Sequence, residues 1–124
     1  MSDRENIEQT IQTYFESMYE SDEGKAKAAF HPDARIVGYL TGSLANMSVE
    51  EFAGFVSGQP SAKAAGLPAR LEIVSCEIAG QTAVARVRDD YLGLTFLDTL
   101  SLLEENGQWR IVGKLFHVEG NAEN

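Results

Sequence analysis

The stretch from Thr95 to Phe116, TFLDTLSLLEENGQWRIVGKLF, contains two runs of leucine, β-branched and aromatic residues separated by Asn106-Gly107. Asn-Gly between two such runs predicts a tight hairpin, because a type I′ turn requires positive φ at both central positions. Similar runs precede this hairpin, and short turns at Gly80-Gln81 and around Gly93 separate them. The second half of the chain is therefore predicted to be an antiparallel meander, with strands at Arg70–Ala79, Thr82–Tyr91, Thr95–Glu104 and Gln108–Glu119.

The first half of the chain has the sequence patterns of helices. Ser2-Asp-Arg-Glu5 and Ser48-Val-Glu-Glu51 are capping boxes, in which a serine hydroxyl and a glutamate carboxylate bind free amides at a helix start. Together with the apolar spacing, they predict helices at about residues 3–20, from Lys25 to Phe30, and after Ser48. A first strand is expected at Arg35–Leu40. Helices that precede a meander indicate an α+β fold.

Apolar residues occupy both sets of alternating positions in the last two strands. Phe96, Leu100 and Leu102 alternate with Leu97 and Leu103. In the last strand the same alternation is expected to place Trp109, Ile111 and Leu115 on one face and Val112, Phe116 and Val118 on the other. Three short helices cover one face of such a sheet, so we expect the outer face to form a homodimer.

Composition excludes several classes of partner. The 124 residues include 10 basic and 19 acidic side chains, for a net charge of −9. Nucleic acids and anionic membranes are bound through basic surfaces, so neither partner is expected. No apolar run approaches the roughly 20 residues that cross a bilayer, and the polar N-terminus is not typical of a secretory signal. We expect a single domain at residues 1–124 of a soluble, cytoplasmic protein.

Cysteine and histidine are too scarce for a metal site. The chain has Cys76, His31 and His117, and one thiol with two separated imidazoles does not make a ligand set. It contains no phosphate loop and no dinucleotide-binding glycine pattern, so we predict no metal and no cofactor. Cys76, among apolar strand residues, is expected to be an inert thiol. His31, before Pro32, is expected to bind turn amides.

The order of helix, helix, strand, helix and curved meander resembles the nuclear transport factor 2-like superfamily, a cystatin-like α+β fold. The segment FHPDARI at residues 30–36 is similar to the family's helix-to-strand turn, and the hairpin at residues 95–116 is similar to that of the small bacterial subgroup labelled "putative lumazine-binding". The resemblance implies a cone-shaped, curved antiparallel sheet wrapped around the N-terminal helices, with a pocket at its wide end. It implies no single activity, because the superfamily includes isomerases, dehydratases, cyclases and binding proteins.

Three hypotheses of function follow from this resemblance. We favour a protein that binds a small organic ligand in an apolar pocket of a homodimeric cone. The first alternative is a lyase or isomerase, dehydratase-like or ketosteroid-isomerase-like, that uses an Asp/His/Tyr acid–base set. Steroid isomerases of this fold have a general-base carboxylate at the end of the first strand, where this chain has Ile36-Val-Gly-Tyr39 and no acid. The second alternative is a dimerisation module without a ligand.

Asp98 is the most informative candidate site residue. It lies between Phe96 and Leu100 on one face of a central strand, where a carboxylate must be paired or protonated. We expect Asp98 to be partly buried and paired with Arg86 or Arg88 of the neighbouring strand. An ion pair at a subunit interface is the alternative role of this residue.

Aromatic residues at helical spacing and a late-strand histidine complete the candidate set. The predicted catalytic residues are Asp98, His117 and Tyr14. The predicted ligand-binding residues are Tyr14, Phe15, Met18, Tyr39, Arg86 and Asp98. Plain core packing is the alternative role of the aromatic side chains.

Overall fold

The computed structural model describes residues 1–122, so residues 123–124 of the predicted 1–124 domain lie outside the described part. Its elements are α1 (Asp3–Tyr19), α2 (Glu23–Ala29), β1 (Phe30–Leu40), β2 (Ser43–Ser48), α3 (Val49–Ser57), β3 (Leu71–Ala79), β4 (Thr82–Tyr91), β5 (Leu94–Glu105) and β6 (Gln108–Asn121). The predicted α+β class is confirmed, and most predicted boundaries differ by one or two residues. None of the helices in residues 1–122 has the length and apolar character needed to cross a membrane.

Both predicted capping boxes are present at the helix starts. The Ser2 hydroxyl accepts a hydrogen bond from the Glu5 amide at 3.1 Å, and Ser48 accepts one from Glu51 at 3.1 Å. Each glutamate carboxylate returns the contact by accepting the serine amide. These bonds fix where α1 and α3 begin, because the first amides of a helix have no partner within it.

Six strands form one curved, unclosed sheet in the order β2-β1-β6-β5-β4-β3. All neighbouring pairs are antiparallel except β1 and β6, which are parallel. The three helices cover the concave face, and α1 packs against it through Ile7, Ile11, Tyr14 and Met18. The sequence analysis did not predict β2, because the segment SLANMS lacks the alternation of a strand.

A bulge in β6 changes which residues face the core. At Val112 the pairing of β6 with β5 shifts by one residue. Trp109, before the bulge, is buried as predicted, but after it the buried residues are Lys114 and Phe116, and Leu115 is 59% exposed. The expectation that Leu115 shares a face with Trp109 is therefore wrong, because strict alternation does not survive an inserted residue.

The outer face of the sheet is partly apolar and exposed. Tyr39 of β1 is 66% exposed there, opposite the exposed Leu44 of β2. Val84 and Leu115 are also exposed on this face. The homodimer through the outer face stays a prediction.

Gly38 allows β6 to approach β1 closely. A Cβ at this position would overlap the ring and the carbonyl oxygen of Phe116. We predict that Gly38→Ala lowers the free energy of unfolding by about 1–3 kcal/mol, because an overpacked site displaces its neighbours. Denaturant unfolding measures this loss.

The matched control is Gly113→Ala on β6, where nothing lies within 4 Å of the added Cβ. This variant should differ from the parent by no more than about 0.5 kcal/mol. Equal stability of the two variants would contradict the role assigned to Gly38.

Candidate functional site

Asp98 lies at the centre of the concave face and is bound by a side chain of α1. Asp98 and Tyr14 are each 0% exposed. The Tyr14 hydroxyl donates a hydrogen bond of 2.6 Å to Oδ2 of Asp98. Burial, together with the negative charge of Asp98, raises the pKa of Tyr14 well above its usual value. Tyr14 therefore remains a hydrogen-bond donor to the carboxylate.

A second carboxyl, Asp89 of β4, is buried beside Asp98. Val87 pairs with Asp98, so Asp89 lies two residues further along the same face, at the diagonal position. When both groups are ionised, three of their oxygens have no hydrogen-bond donor in the described chain: the two oxygens of Asp89 and Oδ1 of Asp98. Burial and the negative charge of Asp98 raise the pKa of Asp89 well above its usual value. The raised pKa favours a proton on Asp89, and a protonated Asp89 can donate a hydrogen bond to Asp98.

Lys114 of β6 places a positive charge near these carboxyls. It is 6% exposed, and its Nζ lies 4.8 Å from the ring centroids of Tyr14 and Phe52 and 5.5 Å from that of Phe116. Within residues 1–122, its one hydrogen-bond acceptor is Sδ of Met18 at 3.9 Å, a weak acceptor. Aromatic faces hold the ammonium group by cation–π contacts, and its donors have no oxygen partner among these residues.

The three buried groups have no net charge when the carboxyl pair holds one proton. Asp98 then carries one negative charge, Asp89 is neutral, and Lys114 carries one positive charge. Burying a net charge costs far more than burying a compensated set. The single proton on the pair is therefore part of what makes this cluster compatible with a folded core.

A cavity of about 150 Å³ opens beside Lys114. Lys114 and Tyr91 are its lining side chains with hydrogen-bond donors, and the buried Tyr91 hydroxyl has no partner in the described part of the chain. The other lining residues are apolar and include Ile36, Leu40, Met47, Phe52, Phe55 and Phe96. The cavity lining is thus apolar apart from one lysine and one tyrosine, and it does not include Asp89 or Asp98.

Three of the predicted site residues meet in this region. Tyr14 contacts Asp98 directly, and Met18 contacts the amine of Lys114. Phe15 is buried on α1, where its ring stacks on that of Tyr19 with centroids 5.7 Å apart. Asp98, which was expected to be partly buried, is fully buried.

The other predicted residues lie on the outer face. Tyr39 is exposed there, and so is His117, which pairs with Leu97 of β5. Arg86 is exposed on the same face of β4. The structure therefore does not bring these three residues to the Tyr14–Asp98 contact. Each of them alternates along its strand with the buried residues, so its side chain points to the opposite face of the sheet.

The predicted ion pair between Asp98 and an arginine is wrong. Val87, not an arginine, pairs with Asp98 across β4 and β5. Arg86 pairs with Thr99 and donates to its hydroxyl at 3.3 Å, and Arg88 lies on the same outer face. Alternation along β4 points both guanidinium groups away from Asp98. The tyrosine of α1 supplies the donor instead.

The sequence analysis missed Asp89, Tyr91 and Lys114. Asp89 did carry a usable signal, because it follows Ala83, Ala85 and Val87 at alternating positions of one strand. Lys114 carried none, because the bulge that turns it inward is not visible in the side-chain pattern.

His31 and Cys76, the other residues considered in the sequence, have contacts that are typical of structural roles. Nδ1 of His31 accepts a hydrogen bond from the Asp33 amide at 3.1 Å, so the predicted turn contact is confirmed. Burial raises the pKa of the Cys76 thiol, which lowers the fraction of reactive thiolate. Residues 1–122 contain no group of three or more His, Cys, Asp or Glu side chains placed to hold a metal ion.

The family model described as "Putative lumazine-binding" matches residues 2–117. The chain belongs to this family. The chain is also similar to aldolase FrzH of a Cladobotryum species. The two are 27% identical over 108 residues, which cover 87% of this chain and 85% of that protein. The aldolase activity in this name is that of the relative.

Solved structures place this member of the family in the nuclear transport factor 2-like fold. A protein of unknown function from Silicibacter pomeroyi DSS-3 matches with a TM-score of 0.86 and 27% identity, over 96% of this chain and 100% of that one. One from Methylobacillus flagellatus KT matches with a TM-score of 0.84 and 28% identity, over 95% and 93%. The resemblance to this superfamily is confirmed.

The shared proton predicts a pH dependence of stability that Asp89→Asn should remove. Because folding raises the pKa of Asp89, the folded state binds more protons than the unfolded state above about pH 4. This contribution to stability is complete at low pH and is lost as the pH rises, by up to about 1.4 kcal/mol per pH unit. An asparagine amide donates to Asp98 at every pH, so the variant should lack this loss.

Denaturant unfolding between about pH 5 and 9 measures the slope. Asp33→Asn, at an exposed carboxylate, is the control and should keep the parent's slope. A parent slope that persists in Asp89→Asn would show that Asp89 does not hold the proton.

Proposed function

We propose that the protein binds a small organic molecule with an apolar body and one oxygen acceptor in the cavity beside Lys114. The observation that carries this proposal is the cavity wall, which is apolar except for two side chains with unused donors. Within residues 1–122, the Tyr91 hydroxyl has no hydrogen-bond partner, and the acceptor of the Lys114 ammonium is a thioether. Unpaired buried donors cost stability, and a ligand oxygen would satisfy them.

The cavity volume bounds the size of the ligand. A dry apolar cavity of about 150 Å³ takes up a molecule of the size of benzene. The ligand part that enters is therefore a single ring or a short branched chain. The lumazine-binding description of the family and the nuclear transport factor 2-like fold support a small-molecule ligand of this kind.

Shape-matched probes test the proposal. Toluene, benzyl alcohol and benzoate have the same ring and differ in their oxygen acceptors. We expect benzyl alcohol and benzoate to bind about tenfold more tightly than toluene, because each gains about 1.4 kcal/mol from a hydrogen bond or ion contact at the wall. Titrations followed by ¹H–¹⁵N spectra report both the affinity and the residues that respond.

Lys114→Met is the informative variant, since methionine preserves the length of the side chain without the donors. It should bind toluene as the parent does and lose its preference for benzoate. Lys27→Met, at an exposed lysine of α2, is the control and should keep that preference. No response of cavity residues to any of the three probes would refute the proposal.

A second candidate function is a lyase that makes or breaks a carbon–carbon bond beside a carbonyl group. The name of the aldolase relative favours it, and so does the carboxyl pair with its one transferable proton. A carboxylate with a positioned tyrosine donor is a suitable general base for removing a proton from such a carbon. Asp98 would be the base for a substrate that reaches past the cavity lining, and Tyr14 would position it.

Hydrogen–deuterium exchange at carbon tests this second candidate. Acetophenone in deuterated buffer should lose its methyl protons faster with the parent protein than with buffer alone. Asp98→Asn should abolish the acceleration while leaving benzyl alcohol binding unchanged. If acetophenone binds and exchanges at the buffer rate, the protein is a binding protein without this chemistry.

A further inference from the structure

Lys114 is the one lysine in residues 1–122 that is buried in an apolar aromatic environment. The other three lysines lie at the surface, where Lys25 is ion-paired with Glu16 at 2.8 Å and Lys27 and Lys63 are exposed. Lys114 is held by three aromatic rings and lines the cavity. Lys114 therefore supplies the amine of the cavity lining.

We infer that Lys114 is a covalent attachment site for carbonyl compounds, on which an aldehyde or ketone forms a protonated imine. This inference rests on the proposed ligand cavity and names the class of ligand that the cavity takes. Lysines that form imines in proteins lie in apolar pockets of this kind, where the amine is shielded from water.

The reaction balances within the groups present. After giving up one proton, the Nζ lone pair attacks the carbonyl carbon, and the carbonyl oxygen becomes a hydroxyl as the first proton moves to it. This hydroxyl takes a second proton and leaves as water, while nitrogen forms the double bond to carbon. In sum, an ammonium ion and a carbonyl compound give an iminium ion and water, with no oxidant or reductant.

The site fits both ends of this reaction. The positive charge is the same before and after, so the aromatic faces and the charge of Asp98 that stabilise the ammonium also stabilise the iminium. Lys114 and Asp98 occupy diagonal positions on the same face of β5 and β6. Tyr91 also lines the cavity, and its hydroxyl, which has no hydrogen-bond partner within residues 1–122, would donate to the carbonyl oxygen.

An iminium at Lys114 would also make the adjacent carbon more acidic. Electrons of its C–H bond move towards the positive nitrogen when a base removes the proton. Asp98, at the diagonal position to Lys114 on the neighbouring strand, would be the base in that step. The attachment site thus joins the binding cavity to the carbon–carbon chemistry of the second candidate.

Reductive trapping of the full-length protein tests the inference. Benzaldehyde and cyanoborohydride convert an imine into a stable benzylamine, and peptide mass spectrometry assigns the modified lysine. We expect Lys114 to be labelled at least tenfold faster than Lys27 and Lys63 in the same sample. Because the comparison is made within one protein, it does not depend on any variant folding. Labelling of Lys114 no faster than that of the two exposed lysines would overturn the inference.

Two further measurements separate this inference from the proposed function. If benzaldehyde and benzyl alcohol both shift the cavity resonances and Lys114 is not trapped, the attachment site is refuted and the binding proposal stands. If neither probe shifts them and Lys114 is not trapped, both are refuted. Tyr91→Phe should slow trapping several-fold without a loss of thermal stability, because its hydroxyl has no partner to lose. Unchanged trapping in Tyr91→Phe would refute the role given to that hydroxyl.

Discussion

Two carboxyls and one ammonium group are buried on one face of a single sheet, and they can stay there only as a set without net charge. This requirement explains why Asp89 holds a proton, why Asp98 receives the hydroxyl of Tyr14, and why Lys114 lies against aromatic rings. Each contact replaces hydration that the group loses on burial. The helix α1 is needed for the same reason, because it carries the tyrosine.

Such a cluster is a poor way to stabilise a fold. Burying ionisable groups costs more than packing apolar residues of the same volume, and three carboxyl oxygens have no donor within residues 1–122 when both carboxyls are ionised. Charged groups on the outer face lose less hydration, as in the ion pair of Arg88 and Glu119 at 2.7 Å, which remains in contact with solvent. Groups with strongly shifted pKa values beside a cavity are typical of functional sites, and the position of this cluster accords with that pattern.

The helices and long strands could be predicted from the sequence, but the contacts of the buried site residues could not. Capping boxes and the Asn106-Gly107 turn are local signals, so most of the helices and long strands could be predicted from them. The turn before β5 was located only approximately, and a shift of one residue exchanges the two faces of a strand. For that reason the sequence predicts an arginine as the partner of Asp98, whereas the partner in the structure is Tyr14. Lys114 required the bulge at Val112, which depends on backbone pairing between strands.

The central claim is that Asp89 and Asp98 share one proton, because burial beside Asp98 raises the pKa of Asp89. Infrared spectroscopy measures this directly, because a protonated carboxyl has a C=O stretching band that a carboxylate lacks. The parent protein should show a band for one buried protonated carboxyl at about pH 7, where exposed carboxyls are ionised. The band should be absent from Asp89→Asn. A parent spectrum without a protonated carboxyl at that pH would contradict the account.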